Sequence, residues 1–153
     1  MQPGAGRLPR DQERPEKPKP DAMRKLKEEH RGKSGLEIAR LCARVALDNK
    51  AEDLALLDVR GLTSFTDFFV IMSGRSTRHV QGLAEKIENE LRSKRVTSRN
   101  SEGLREGVWI LLDYDDVVVH IFYSDTRKFY DLDGLWHDAA RIPVESAPGE
   151  PAA

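Results

Sequence analysis

Three carboxylates and a phenol crowd one short stretch: Asp113, Tyr114, Asp115 and Asp116. Hard cations want converging oxygens, so such a cluster is a candidate divalent-metal site. Asp is also favoured in turns and tolerates left-handed backbone, and the turn is the simpler reading. The stretch S-G-R-S-T-R-H at 73–79 could set backbone N–H groups, Arg75 and Arg78 around a phosphate. It has neither the Lys-Ser/Thr pair of a P-loop nor a spaced glycine fingerprint, and Ser76 can equally serve as an ordinary helix cap. The histidines His30, His79, His120 and His137 have no ligand spacing. The single cysteine, Cys42, excludes an intramolecular disulfide and a multi-cysteine zinc site, and reads as a buried thiol. No serine sits in a G-x-S-x-G setting, and no nucleophile–base pair is evident. Residue chemistry alone therefore points to no catalytic group, no cofactor and no metal.

The elements that would position these groups follow from periodicity. Residues 35–53 read as a helix with Ile38, Leu41, Cys42 and Val45 on one stripe. Two apolar runs, 54–59 and 67–73, read as strands separated by a Gly- and Thr-containing break. After Ser76, the stripe Val80, Leu83, Ala84, Ile87 and Leu91 marks a second helix, with basic residues 92–95 in its last turn. A polar loop at 97–107 leads to strands at 108–113 and 116–123. The segment 126–140 carries Tyr130, Leu132, Leu135 and Trp136, expected to pack back onto the domain. The order α-β-β-α-β-β-α implies an α/β (α+β) fold: a mixed sheet of four to five strands flanked by helices.

The last two strands are the most informative. With Tyr114–Asp115 as a two-residue loop, Asp113 would pair with Asp116, Leu111 with Val118 and Trp109 with His120. Alternation then puts Val108, Ile110, Leu112, Val117, Val119 and Ile121 on an apolar core face. Trp109, Leu111, Asp113, Asp116, Val118, His120 and Phe122 share the other. A solvated face has no need of a tryptophan, and a core face would not choose two aspartates and a histidine, so this mixed face is expected to be an open binding surface.

The chain has 153 residues and a formal net charge of -1. Residues 1–34 hold ten Lys or Arg against six Asp or Glu, a net of +4, with five of the eight prolines. That composition predicts a disordered tail before a domain at 35–142, and the proline-containing stretch 143–153 predicts a second flexible tail. Residues 35–153 carry a net of -5, ill suited to coating nucleic acid. No apolar run approaches the roughly 18 residues that span a bilayer, and the N-terminus has no signal-like apolar core. The expected compartment is the cytoplasm.

The segments LDVRGLTSFTDFFVIMSGRSTRHVQGLAEKIENEL and EGVWILLDYDDVVVHIFYSDTRKFYDLDGLW resemble the ribosomal silencing factor (Iojap) family. The resemblance runs from about Leu36 to Trp136. It is carried by D-V-R-G, D-F-F-V-I-x-S-G, S-T-R-H-V, W-I-L-L-D-Y-x-D-V-V-V-H-I-F and Y-D-L-D-x-L-W. It implies a nucleotidyltransferase-like topology without its catalysis. It also implies binding to the large ribosomal subunit through ribosomal protein uL14, which blocks joining of the small subunit and represses translation. Some relatives assist large-subunit assembly, and relatives form homodimers off the ribosome. The tryptophan that opens the third expected strand, Trp109, is implied as a contact to the ribosomal protein. Leu111, Asp113, Asp116 and His120 on the same face, with Asp67 and Arg78, complete the expected partner-binding set, and ribosomal RNA would be touched only at the rim. The family often has Gly where this chain has Asp115, a position expected to take positive φ. The rival reading is a metal-dependent nucleotidyltransferase using Asp113 and Asp115 for Mg²⁺.

Overall fold

Ser34 opens the described chain, which covers residues 34–144 of a computed structural model. The expectations for the charged N-terminal tail and for residues 145–153 lie outside the described residues. Ser34 caps α1 (Gly35–Asp48) reciprocally: its hydroxyl accepts the Glu37 N–H at 3.1 Å, and the Glu37 carboxylate accepts the Ser34 N–H at 2.8 Å. Two otherwise unpaired donors are satisfied at once. The helix stops short of the expected 53. Lys50 turns left-handed (φ 66), and the Ala51 N–H folds back to the Ala46 carbonyl at 2.9 Å. This is a C-terminal cap that usually takes glycine, which hid the stop in the sequence.

The chain continues through β1 (Glu52–Asp58), β2 (Phe68–Gly74) and α2 (Thr77–Ser93). It ends with β3 (Asn100–Glu102), β4 (Trp109–Asp113), β5 (Val117–Tyr123), α3 (Ser124–Tyr130), α4 (Leu132–Leu135) and β6 (Ala140–Arg141). The six strands form one sheet in the order β3-β4-β5-β2-β1-β6. Only β2 and β5 pair in parallel. The mixed sheet flanked by helices is the expected class. The two additional strands, at its edges, have three and two residues, too few to show alternation.

Both sheet faces are covered. On one, Leu56, Val70, Met72, Ile110, Leu112, Val117, Val119 and Ile121 meet the stripes of α1 and α2, including Ile38, Cys42, Leu83, Ile87 and Leu91. On the other, Ala55, Leu57, Phe69, Ile71, Leu111, Val118 and Phe122 pack with Leu132 and Ala139 from the C-terminal segment. Strand β2 is buried along its whole length, which is why it reads as an unbroken apolar run.

The β4–β5 hairpin differs from expectation in register. Its loop holds three residues, and the pairs are Trp109 with Phe122, Leu111 with His120 and Asp113 with Val118. Asp115 adopts φ 73, Asp113 Oδ1 accepts the Asp115 N–H at 2.9 Å, and the Tyr114 N–H closes on the Val117 carbonyl at 2.8 Å. Asp115, the middle residue of the loop, thus takes the left-handed turn that reverses the chain. The register moves by two residues, so the side chains of residues 109–113 and 117–122 stay on their expected faces, whereas Asp116 falls in the loop with its Cβ close against Gly35 of α1. Val108 is a correction: it precedes the strand and is exposed rather than core.

Candidate functional site

Trp109 begins β4, and the loop before it is folded tightly beneath. Gly103 has φ 81, and a Cβ there would run into the Trp109 carbonyl. The indole ring is half-buried and held on several sides. Phe122 lies 4.8 Å away between centroids and Tyr130 4.9 Å away, while its Nε1–H donates to His120 Nδ1 at 3.1 Å. Phe129 meets Tyr130 edge-on at 5.0 Å and is 76% exposed. An aromatic row thus runs from the buried Phe122 through Trp109 and Tyr130 to the solvent-facing Phe129.

His120 is fully buried in the layer beneath this row, against Phe69 at 5.0 Å. Burial pushes its pKa down to about 3, against a small opposing pull from Asp133, so the ring is neutral. An indole can only donate, so Nδ1 is the acceptor and the proton sits on Nε2. That Nε2–H is buried without a partner among the described residues. A buried donor left unpaired costs about 1–3 kcal/mol.

The covering segment is pinned by one side chain. The Arg127 guanidinium donates to both Asp133 carboxylate oxygens at 3.0 and 2.9 Å, to Ser73 Oγ at 3.0 Å and to the Asp53 carbonyl at 2.6 Å. This pairing holds the Asp133 carboxyl below its ordinary range. Leu132 is buried beneath the segment, and Trp136 packs edge-on against Phe69 at 5.2 Å. Leu135, expected to pack inward, is 52% exposed.

The expected open face is therefore largely a second core layer. Leu111 and His120 are buried beside Trp109, because residues 124–142 roof the face. Asp113, Asp116 and Asp67 are buried as well, and lie at the opposite end of the strands. There Asp113 serves the turn, and the Asp116 carbonyl accepts the Asp67 and Phe68 N–H groups, each at 3.0 Å. Arg78 is exposed, but it sits in the first turn of α2, in the layer on the other side of the sheet. Of the seven expected residues, the structure groups Trp109, Leu111 and His120, and only Trp109 of these reaches solvent. Sequence reasoning missed Phe129 as an exposed aromatic and Arg127 as the clamp. The signal available was the aromatic pair 129–130 directly after two basic residues.

The other chemical candidates resolve into structure. Ser76 Oγ caps α2 by accepting the His79 N–H at 3.0 Å, His79 Nδ1 accepts the Arg75 N–H at 3.1 Å, and His79 Nε2 donates to the Asn49 carbonyl at 2.9 Å. Asp115 is ion-paired with Arg99. Burial pushes the Cys42 thiol up to about 12. Among the described residues no group of three or more His, Cys, Asp or Glu is placed to hold a metal ion, and no helix is long and apolar enough to cross a membrane.

Comparison with known proteins gives this arrangement a context. Residues 32–153 match the family model "Ribosomal silencing factor during starvation". A ribosomal silencing factor of Halalkalibacterium halodurans is 34% identical over 112 residues, 73% of this chain and 96% of that protein. The mouse "Mitochondrial assembly of ribosomal large subunit protein 1" is 30% identical over 107 residues, covering 64% of this chain and 47% of its own. A solved structure from Chromobacterium violaceum superposes with a TM-score of 0.67 at 31% identity, over 78% of this chain and 98% of the other. The chain belongs to the ribosomal silencing factor family.

Proposed function

We propose that the protein binds the large ribosomal subunit through ribosomal protein uL14 and, by occupying that surface, blocks joining of the small subunit and represses translation. The observation that carries this is the aromatic row ending at Phe129, with Trp109 held half-exposed inside it. Rigid, partly exposed aromatics are the side chains that anchor protein interfaces. The net charge of -5 over residues 35–153 suits a basic ribosomal protein, with RNA met only at the rim. The action is steric and non-enzymatic, in keeping with relatives named as silencing factors. It belongs in the cytoplasm, where off the ribosome the same aromatic surface is available for a homodimer.

Sedimentation with separated subunits tests the proposal. The protein should travel with large subunits and not small ones, and saturating protein should lower the yield of joined ribosomes. Travel with small subunits, or joining unchanged at saturation, would sink it. The name of the mouse relative favours a second activity in large-subunit assembly, which would appear as accumulated large-subunit precursors on depletion. Nucleotidyl transfer is disfavoured because Asp113 and Asp115 are engaged in the turn and with Arg99. Micromolar Mg²⁺-dependent nucleotide binding by calorimetry would revive it.

A further inference from the structure

His120 is an odd choice for the second core layer. It pairs with Ile71 and Leu111 across the sheet and meets the Phe69 and Phe122 rings, and one of its two nitrogens has no hydrogen-bond partner among the described residues. A leucine would fill the same place without burying an unpaired donor. Among the described residues the one hydrogen bond of the His120 side chain is with the Trp109 indole. The acceptor is supplied from inside the sheet, at a point where Phe122 and Tyr130 already limit the ring on other sides.

We infer that His120 is a positioning residue for partner recognition, acting through Trp109 by locking the indole N–H inward and fixing the ring before the partner arrives. This rests on Trp109 being the anchor proposed above. Fixing a large side chain in advance removes part of the ordering cost of binding. It also defines what the partner can offer. With the N–H committed to His120, the exposed part of the indole presents carbon only. The complementary group on the partner is then an aliphatic side chain or a guanidinium stacked on the ring, and not a carbonyl or carboxylate acceptor.

Indole N–H exchange, followed by NMR on the full-length chain, tests this without the ribosome. The Trp109 and Trp136 signals are told apart with Trp109→Phe. In the native chain the Trp109 Nε1–H should exchange about 100-fold more slowly than a free indole, and His120→Leu should speed it about tenfold or more while burial is kept. His120→Asn, whose Oδ1 can stand where Nδ1 stands, should restore the slow exchange. Affinity for isolated large subunits should fall about tenfold in His120→Leu and recover in His120→Asn. In a Trp109→Phe background, His120→Leu should change affinity by less than about twofold, since the phenyl ring has no N–H to hold. Exchange unchanged by His120→Leu, or an equal affinity loss in the Trp109→Phe background, would overturn the inference. Should His120→Leu fail to fold, the native chain still decides: a Trp109 N–H exchanging like free indole refutes the lock. If the native chain does not bind large subunits at all, the proposed function falls, while the exchange measurement still judges the role of His120.

Discussion

Trp109 and Ile110 are chain neighbours that face opposite layers, and they separate binding from folding. Ile110 is fully buried among α1- and α2-facing side chains, so Ile110→Ala should lose about 2–5 kcal/mol of stability in denaturant titration through a core cavity. Trp109→Ala should weaken large-subunit binding by about 2 kcal/mol or more, the range of an interface anchor. It should also cost some stability, because it strips Phe122 and Tyr130 of a stacking partner. A Trp109→Ala protein that binds normally would remove it from the interface. His120 adds a pH signature. The unfolded imidazole takes up a proton below about 6.5, while the folded one resists until about 3, so the unfolded state binds more protons in that window. Stability should therefore fall as pH drops through it, by at most about 1.4 kcal/mol per unit. Urea titrations at pH 7, 5 and 4 should show this slope in the native chain and a flatter one in His120→Asn. Asp133 adds a loss of the same sign in more acidic solution, as the carboxyl stabilised by Arg127 is protonated. The facing of Trp109 and Ile110 was legible in the sequence because a two-residue register slip preserves alternation. The burial of His120 was not, because it depends on the aperiodic segment after β5 folding back over the strand.

That segment, residues 124–142, is the element on which the site depends. It contributes Tyr130 and Phe129 to the aromatic row, yet contains only two short helices and a two-residue strand. Arg127 holds it to β1 and β2 through the Asp53 carbonyl and Ser73, and to itself through Asp133. Its side chain is 12% exposed, so Arg127→Ala removes partly desolvated, charge-assisted bonds and should cost about 1.5–3 kcal/mol. Amide exchange should accelerate over residues 124–142 more than in α1 or α2, and uniform acceleration would show that Arg127 serves the whole fold. Gly103→Ala tests the opposite flank. A methyl there must displace the Trp109 carbonyl, so both stability and large-subunit affinity should drop. Strongly periodic elements were legible: the stripes of α1 and α2, the run of β2 and the alternation of β4 and β5. The end of α1 was obscured by a lysine in a glycine's usual place. The C-terminal roof has no period of its own, so its residues were recognisable as packing without revealing what they cover.

At the scale of the molecule the sheet divides two layers that carry separate natural probes. Cys42 lies in the helix-covered layer, while Trp109 and Trp136 both pack on the other. With its pKa raised to about 12 by burial, the Cys42 thiol should be inert to thiol reagents in the native chain. Its labelling should follow denaturation with the same midpoint as tryptophan fluorescence if the layers unfold as one unit. An earlier fluorescence change would mean that the roof opens while the helical layer persists. Family membership and fold class were legible in the whole sequence because their motifs span both layers. The parallel pairing of β2 with β5 at the centre of the sheet has a kinetic consequence. Between these neighbours in space the chain makes all of α2, β3 and β4, so the centre is a long-range contact with a large loop-closure cost. The antiparallel β4–β5 hairpin is local and can form early, offering its free edge to β2. The roof belongs to the last segment of the described chain. Before it docks, a nearly complete sheet exposes Phe69, Phe122 and Trp109 together, and in that interval self-association competes with folding.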